Sequence, residues 1–403
     1  MGVVVQRCRE NLVSVEIAVI DTQPTASLAL IFQGSWSVCN EEVNRLQQTA
    51  LYEQHEALNA KIVDFAGWAM PIQYPSGILF EARGVRNGTG IFDVSHMGRL
   101  RFVGGGAELL LDKILTRNIL SLREGRARYG FLCNENGGII DDVVVSRISS
   151  DEFSLVCNAG NRPKVIEWIE NWTEGFGNVE ITDLTNRTGM IAIQGPTAAD
   201  VVVEALSIDL KDLGKFRVQQ YAYADTLVTF SRTGYTGEDG FEVICNAVDA
   251  SRLWSDLVDH GAIPAGLGSR DNLRLEAALA LHGSDIDEST NPIEAGLSRF
   301  VDFDKKSFVG KEALDLILEE GTERTFVGIE LTERGIPRSG CALLQDGEQV
   351  GIVTSGGYGA NIERSIGLAY VRSEFSNLEQ ELAVDIRGQL ITAKIVRLPF
   401  YQR

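Results

Sequence analysis

Apolar and polar residues alternate with a period of two through much of the chain, in short runs separated by glycine-rich turns. That is the pattern of half-buried strands, whose successive side chains point to opposite faces. Leu227-Val-Thr-Phe230 and Phe241-Glu-Val-Ile244 read as two such strands, joined into a hairpin by Arg232-Thr-Gly-Tyr-Thr-Gly-Glu-Asp-Gly240. Tyr129 to Cys133 and Ile139 to Arg147 form a second hairpin about Asn134-Glu-Asn-Gly-Gly138. Arg99 to Val103 and Phe153 to Cys157 are further strands. Helices are predicted over Glu53 to Ala60, Gly77 to Asn87, Ala107 to Leu115, Arg162 to Trp172 and Ser269 to Leu281. In the last, Ser269 is the N-cap and Leu273, Ala277 and Leu281 share one face. After the helix Lys311 to Leu318 come short strands with turns at Asp346-Gly347 and Gly356-Gly357, ending on Gln389 to Arg397. This predicts an all-β C-terminal module. Strands and helices intermix without regular βαβ alternation, so the fold class is α+β rather than a doubly wound sheet.

Composition narrows the partners. A chain of 403 residues, 44% of them hydrophobic, has material for two or three domains with real cores. Its longest apolar run, Ser27-Leu-Ala-Leu-Ile-Phe32, is far short of the ~18–20 residues that a membrane helix needs. A net charge of −19, spread over dispersed acids, argues against nucleic acid as a partner. The six cysteines lack any Cys-x-x-Cys spacing and the four histidines are scattered, so no metal site is expected and reduced thiols in the cytoplasm are. Gly104-Gly-Gly106 precedes a helix, but without a dinucleotide or Walker spacing it reads as a plain turn.

The chemistry concentrates in two places. In the first hairpin a turn needs one or two glycines, and three are present around Tyr235, which leaves room for a flat ligand beside the ring. Glu242 then projects from the returning strand with its carboxylate available. In the second hairpin Asp141 and Asp142 are neighbours on one strand, so only one of them can face a cleft; the other is a structural or solvated acid.

The segment Arg232 to Glu242 resembles, almost letter for letter, a signature of the glycine cleavage system T-protein (aminomethyltransferase) family. Further motifs of that family follow in order. They are Leu51-Tyr-Glu-Gln-His55, Asp64-Phe-Ala-Gly-Trp-Ala-Met-Pro71, Phe92-Asp-Val-Ser-His-Met-Gly98, the segment 134–142 and Gln194-Gly-Pro196. Gly266 to Glu276, Pro292 to Leu297, Ile336-Pro-Arg338, Val353 to Gly356 and Pro399-Phe400 complete the series. The resemblance starts near Leu51 and leaves residues 1–46 outside, which read as an extension from an over-long start, poorly ordered. It implies a three-domain folate-binding aminomethyltransferase fold. Residues 47–300 would form two intertwined α+β domains, roughly 47–95 with 185–275, and 96–184. Residues 301–319 would connect them to a C-terminal β-barrel over 320–403.

The resemblance also implies an activity: transfer of the one-carbon unit from aminomethyl-lipoyl H-protein to tetrahydrofolate, releasing ammonia and forming 5,10-methylenetetrahydrofolate. Asp142 would be the catalytic carboxylate and Glu242 would accept the paired donors of the pterin edge. Met97, Tyr129 and Tyr235 would flank the ring, and Asn158 would offer its amide to a further polar group. Arg270, placed against the dipole at a helix start, would contact a ligand carboxylate or orient Glu242. Arg403 aligns loosely with one more contact. Arg299, Lys305 and Lys306 are the basic candidates for docking an acidic H-protein. Two departures stand out: Ala82 where many members carry His, and His282 where Tyr is usual, the latter read as a helix-end substitution. The alternatives are another tetrahydrofolate-dependent demethylase on the same fold, or a non-enzymatic folate-binding repair protein. Demethylases alter the Gly-Tyr-Thr-Gly-Glu-Asp and Gly-Gly-Ile-Ile-Asp-Asp motifs, and the repair protein carries a Lys-Gly-Cys-Tyr-x-Gly-Gln-Glu motif; here the first two are intact and the third is missing.

Overall fold

The alternation around residues 226–246 places two strands side by side at the middle of a sheet. In the computed structural model, which describes residues 46–403, Thr226–Ser231 and Gly240–Asn246 pair antiparallel, with Ser231 opposite Glu242. They belong to a six-stranded sheet whose order is Val218–Tyr223, Thr226–Ser231, Gly240–Asn246, Thr188–Gln194, Gly90–Asp93 and Ile263–Pro264. Phe241, Val243 and Cys245 turn to one face, where they meet Val202 of the helix Ala198–Leu206 and Leu253, Trp254 and Leu257 of Ala247–Asp259. Glu242 and Ile244 therefore turn to the other face.

A five-stranded antiparallel sheet carries the second hairpin, in the order Arg126–Cys133, Ile139–Arg147, Glu152–Cys157, Gly98–Val103, Glu180–Asp183. Val143, Val145, Phe153 and Leu155 pack against the helices Ala107–Ile114 and Arg162–Glu170. The alternate positions, Asp142, Val144, Ser146, Ser154 and Val156, look the other way, toward the opposite face of the six-stranded sheet. Both sheets thus bury one face under helices and leave the other to line a common space.

The C-terminal strands close into a six-stranded barrel ordered Arg324–Leu331, Arg364–Arg372, Glu348–Gly359, Ala342–Gln345, Glu381–Ile386, Gln389–Val396. Asp346-Gly347 makes the expected turn, both residues having positive φ. Gly356-Gly357 does not turn; it lies inside the strand Glu348–Gly359. A side chain at Gly356 would come within 2.2 Å of the Pro337 carbonyl, so the glycine admits a crossing segment of backbone. The helix expected over 269–281 spans Leu267–Glu276, with Gly266 at its start. Tertiary contact sets that start: the Gly266 N–H donates to the buried Glu81 carboxylate at 2.9 Å, and Ser269 Oγ donates to the Gly266 carbonyl instead of capping. Arg274 of this helix donates to Asp285 and to Ser355 of the barrel, and Glu276 accepts from Arg86 and the Asn361 N–H. These bonds seat the barrel against the helix that carries Arg270. No described helix is long and apolar enough to cross a membrane. The expectation for residues 1–46 lies outside the described residues, apart from Leu46.

Candidate functional site

The facing sheet surfaces, with the loop 277–300 and barrel residues Phe326, Leu398 and Pro399, enclose a cavity of about 540 Å³, a volume suited to a cofactor-sized ligand. Seven of the eight positions singled out by sequence line it: Met97, Tyr129, Asp142, Asn158, Tyr235, Glu242 and Arg270. Arg403 is not brought there. Its guanidinium donates to the Arg86 carbonyl at 2.5 Å and pairs with Glu238 at 3.1 Å, binding the chain end to the network below the helix Leu267–Glu276.

On one wall, Asp142 accepts from the Tyr129 hydroxyl at 3.1 Å and from Asn158 Nδ2 at 2.8 Å. Asp141 faces the opposite way, as expected, but it is fully buried rather than solvated. It accepts from the Asn158 N–H at 3.0 Å, from Asn158 Nδ2 at 2.7 Å and from the Asp142 N–H at 3.0 Å. The amide hydrogens of Asn158 are therefore committed to the two aspartates, and its carbonyl oxygen is what it can offer a ligand. Burial raises the carboxyl pKa of both aspartates, and the Asp142 charge raises that of Asp141 further. His282 and the Tyr129 and Asn158 donors pull Asp142 back down.

On the other wall, the Thr233 hydroxyl donates to Glu242 Oε2, which leaves Oε1 for a ligand. Burial raises the Glu242 pKa against the opposing pull of Thr233 and of the Arg270 charge. The Arg270 guanidinium carbon lies 4.6 Å above the centroid of the Tyr235 ring, a cation–π contact. The Tyr235 hydroxyl donates to the Ala280 carbonyl at 2.5 Å, which fixes the ring between that loop and Arg270.

The glycines around Tyr235 do not clear space for a ligand. A side chain at Gly234 would meet the Gln194 carboxamide at 2.0 Å, and one at Gly237 would meet the Ala277 methyl at 2.6 Å. Gln194, fully buried, donates to the carbonyls of Thr233 and Phe241 and accepts from the Thr236 hydroxyl. The glycines let the loop close over this plug, and Arg232 bound to Asp239 by two hydrogen bonds completes the closure. Most of the signature is thus scaffold for Tyr235 and Glu242.

Three further side chains were misread or missed. His282 is no helix-end residue, since the helix stops at Glu276; it lines the cavity near Asp142, and its Nε2 is buried without a hydrogen-bond partner. Its departure from the usual Tyr was the available signal. Lys305 is buried, donating to the carbonyls of Leu115 and Arg117 at 2.9 Å at the end of the helix Ala107–Ile114, so it cannot dock a partner. Lys306 is exposed, as is Arg299 at the cavity wall. Thr233, the partner of Glu242, gave no sign beyond lying within the signature. Ala82 is buried in one cluster with Val85, Phe92 and Val94 and does not itself line the cavity. Among the described residues no group of three His, Cys, Asp or Glu side chains is placed to hold a metal ion.

Known proteins resemble this chain along most of its length. Residues 51–305 match the GCVT N-terminal domain family, and residues 324–402 the glycine cleavage T-protein C-terminal barrel domain. The aminomethyltransferase of Rubrobacter xylanophilus is 45% identical over 359 residues, covering 89% of this chain and 95% of that protein. That of Halalkalibacterium halodurans is 40% identical over 366 residues, covering 90% and 100%. The crystal structure of glycine cleavage system aminomethyltransferase T from Bartonella henselae superposes with a TM-score of 0.84 at 35% identity, covering 88% of this chain and 98% of that one. The chain belongs to the glycine cleavage T-protein (aminomethyltransferase) family.

Proposed function

We propose that this chain moves the one-carbon unit of an aminomethyl group, carried as a thioether on the lipoyl arm of H-protein, to tetrahydrofolate, breaking the C–N bond to release ammonia and the C–S bond to leave the dihydrolipoyl thiol on H-protein. The observation that carries the reading is one cavity with Asp142 and Glu242 on facing walls, each held by neutral donors and each keeping acceptor capacity. A pterin edge presents an N–H beside an amino group, which a carboxylate accepts as a pair. Glu242 fits that pair, with the Arg270 charge opposing the upward pull of burial on its carboxyl and Tyr235 and Met97 against the ring faces. Asp142 then stands near the reacting nitrogens. Its charge is uncompensated by any ion pair, so it favours positive charge developing on nitrogen as the new C–N bond forms. Tyr129 and Asn158 fix its oxygens, and the cavity holds nucleophile and carbon at reacting distance.

With this activity we propose the domain division 47–95 with 185–275, 96–184, and a barrel over 320–403, supported by the two sheets and the closed barrel. The described cysteines are free thiols, three of them buried, which suits a cytoplasmic, reducing setting. Formation of 5,10-methylenetetrahydrofolate from aminomethylated H-protein and tetrahydrofolate tests the reading. Failure to form it with both substrates present sinks the proposal.

A further inference from the structure

The proposed transfer moves protons as well as carbon. Each folate nitrogen that bonds to the methylene carbon loses a hydrogen, while the departing amine and the departing sulfur each gain one. Two new C–N bonds replace the old C–N and C–S bonds, and two protons change hands with no oxidant or reductant. A side chain that takes a proton from one atom and returns it to another near neutral pH is most readily an imidazole. His282 lines the cavity that holds Asp142, and its Nε2 is buried without a hydrogen-bond partner. The backbone on either side of it is tied down. The Leu281 N–H donates to Asp285 Oδ2 at 2.9 Å, and the Gly283 N–H donates to the Ile286 carbonyl at 2.8 Å. Asp285 in turn accepts from Arg274 at 2.7 Å and from the Thr354 hydroxyl at 2.5 Å.

The other titratable groups that line this cavity have their bonds committed or hold their protons too tightly. The Tyr129 hydroxyl donates to Asp142, and burial together with that charge raises its pKa. The Tyr235 hydroxyl donates to the Ala280 carbonyl, and burial raises its pKa as well. Glu242 accepts from Thr233 and, on the folate reading, from the pterin edge. Arg270 and Arg299 do not give up a proton. Asp142 serves as a fixed charge, and Asp141 behind it is occupied by Asn158 and the Asp142 N–H. A charge on His282 lowers the pKa of both aspartates, so the ring stands within electrostatic reach of the nitrogens that Asp142 faces. We propose that His282 is a catalytic residue of the transfer. Its imidazole takes a proton from a folate nitrogen as the new C–N bond forms and hands it to the departing amine. It then repeats the exchange between the second folate nitrogen and the sulfur, and ends the cycle as it began. The inference rests on the folate reading above and adds a proton route to it.

Two variants of the full chain test it, assayed with aminomethylated H-protein and tetrahydrofolate. His282→Gln keeps a polar side chain of similar size that cannot pass protons. Its kcat should fall by about 100-fold or more, while the dissociation constant for tetrahydrofolate, measured by calorimetry, and the denaturation midpoint stay where they are. His282→Ala should lose turnover to a similar degree, and imidazole added to the solution should restore it in proportion to its concentration. The same imidazole should do nothing for His282→Gln, whose side chain fills the space. Turnover close to the wild type's in either variant overturns the inference. So does a loss of folate affinity as large as the loss of turnover, which would make His282 a binding residue, or an alanine variant that imidazole leaves inactive. A wild type that forms no 5,10-methylenetetrahydrofolate would instead sink the folate reading, and the proton route with it.

Discussion

Two buried carboxylate clusters in this chain use the same residue types to opposite ends. In the first, Asp93 accepts from Thr49 Oγ1 at 2.6 Å and from the Ser95 N–H at 2.8 Å and lies 2.9 Å from His55 Nε2; the Tyr74 hydroxyl is 2.9 Å from the other ring nitrogen. In the second, Asp142 has a tyrosine, an asparagine and a histidine about it. Burial would raise the pKa of both aspartates, but the donors around Asp93 win and hold it down to about 2, whereas burial wins at Asp142. In the first cluster His55 and Asp93 are buried and every acceptor is met; the second lines a cavity and His282 Nε2 has no partner. A histidine beside an aspartate is thus not a site by composition. Unspent bonding capacity facing a ligand-sized space separates the functional cluster from the structural one.

The sharpest way to break this comparison is to remove each aspartate. Asp93→Ala leaves His55 and Thr49 buried without their acceptor, and should cost about 3–5 kcal/mol of stability, read as a fall in the denaturation midpoint. With its pKa depressed, Asp93 contributes stability that is present above the ordinary aspartate value near 3.9 and is lost as pH falls toward 2. Asp142→Asn should do the reverse. Its raised pKa means that ionisation costs the folded state, so the variant should be no less stable near neutrality. Its turnover should drop by about 3–4 kcal/mol of transition-state stabilisation, as when a positioned charge-stabilising group is lost. If both variants lose stability alike and turnover alike, the two clusters are not different in kind.

Glu242 sharpens the comparison within the cavity. Glu242→Ala removes the acceptor proposed for two pterin donors, and tetrahydrofolate binding should weaken by about 1–3 kcal/mol, measured by calorimetry. Turnover at saturating folate should change less than in Asp142→Asn. An unchanged dissociation constant removes Glu242 from the ligand.

Much of this was legible in the chain because alternation decides which residues share a face. The placement of Glu242 with Ile244, and of Asp142 with Val144, away from Phe241 and Val143 follows from period two alone, and the strands agree. Interactions between segments distant in sequence were not legible. The glycines of the signature read as clearance for a ligand, yet Gln194, forty residues upstream of Gly234, fills the space. Lys305 read as an exposed base, yet it satisfies carbonyls at the end of a helix nearly two hundred residues earlier. Gly356-Gly357 read as a turn because the crossing of Pro337 has no local sign. In each case the residue type was compatible with solvent or with contact, and only tertiary packing chose between them.

The smallest effect tests how far Asn158 governs the second cluster. Its amide donates to both aspartates, and each of those bonds favours the ionised form. Asn158→Ala removes them while leaving burial in place, so the cluster should take up its proton at higher pH than in the wild type. Because Asp142 acts as a charge, the acid limb of the kcat/KM profile should move upward, and activity on the alkaline side of that limb should be largely kept. The Asp141–Asp142 pair titrates as a unit, so the limb reports the pair and not either residue. The neighbouring cluster gives the control: Thr49→Val removes one donor from Asp93 and should leave the limb where it was, since Asp93 does not face the cavity. A limb that stays fixed in Asn158→Ala, or moves equally in Thr49→Val, would mean that the proton governing activity is not held by this pair.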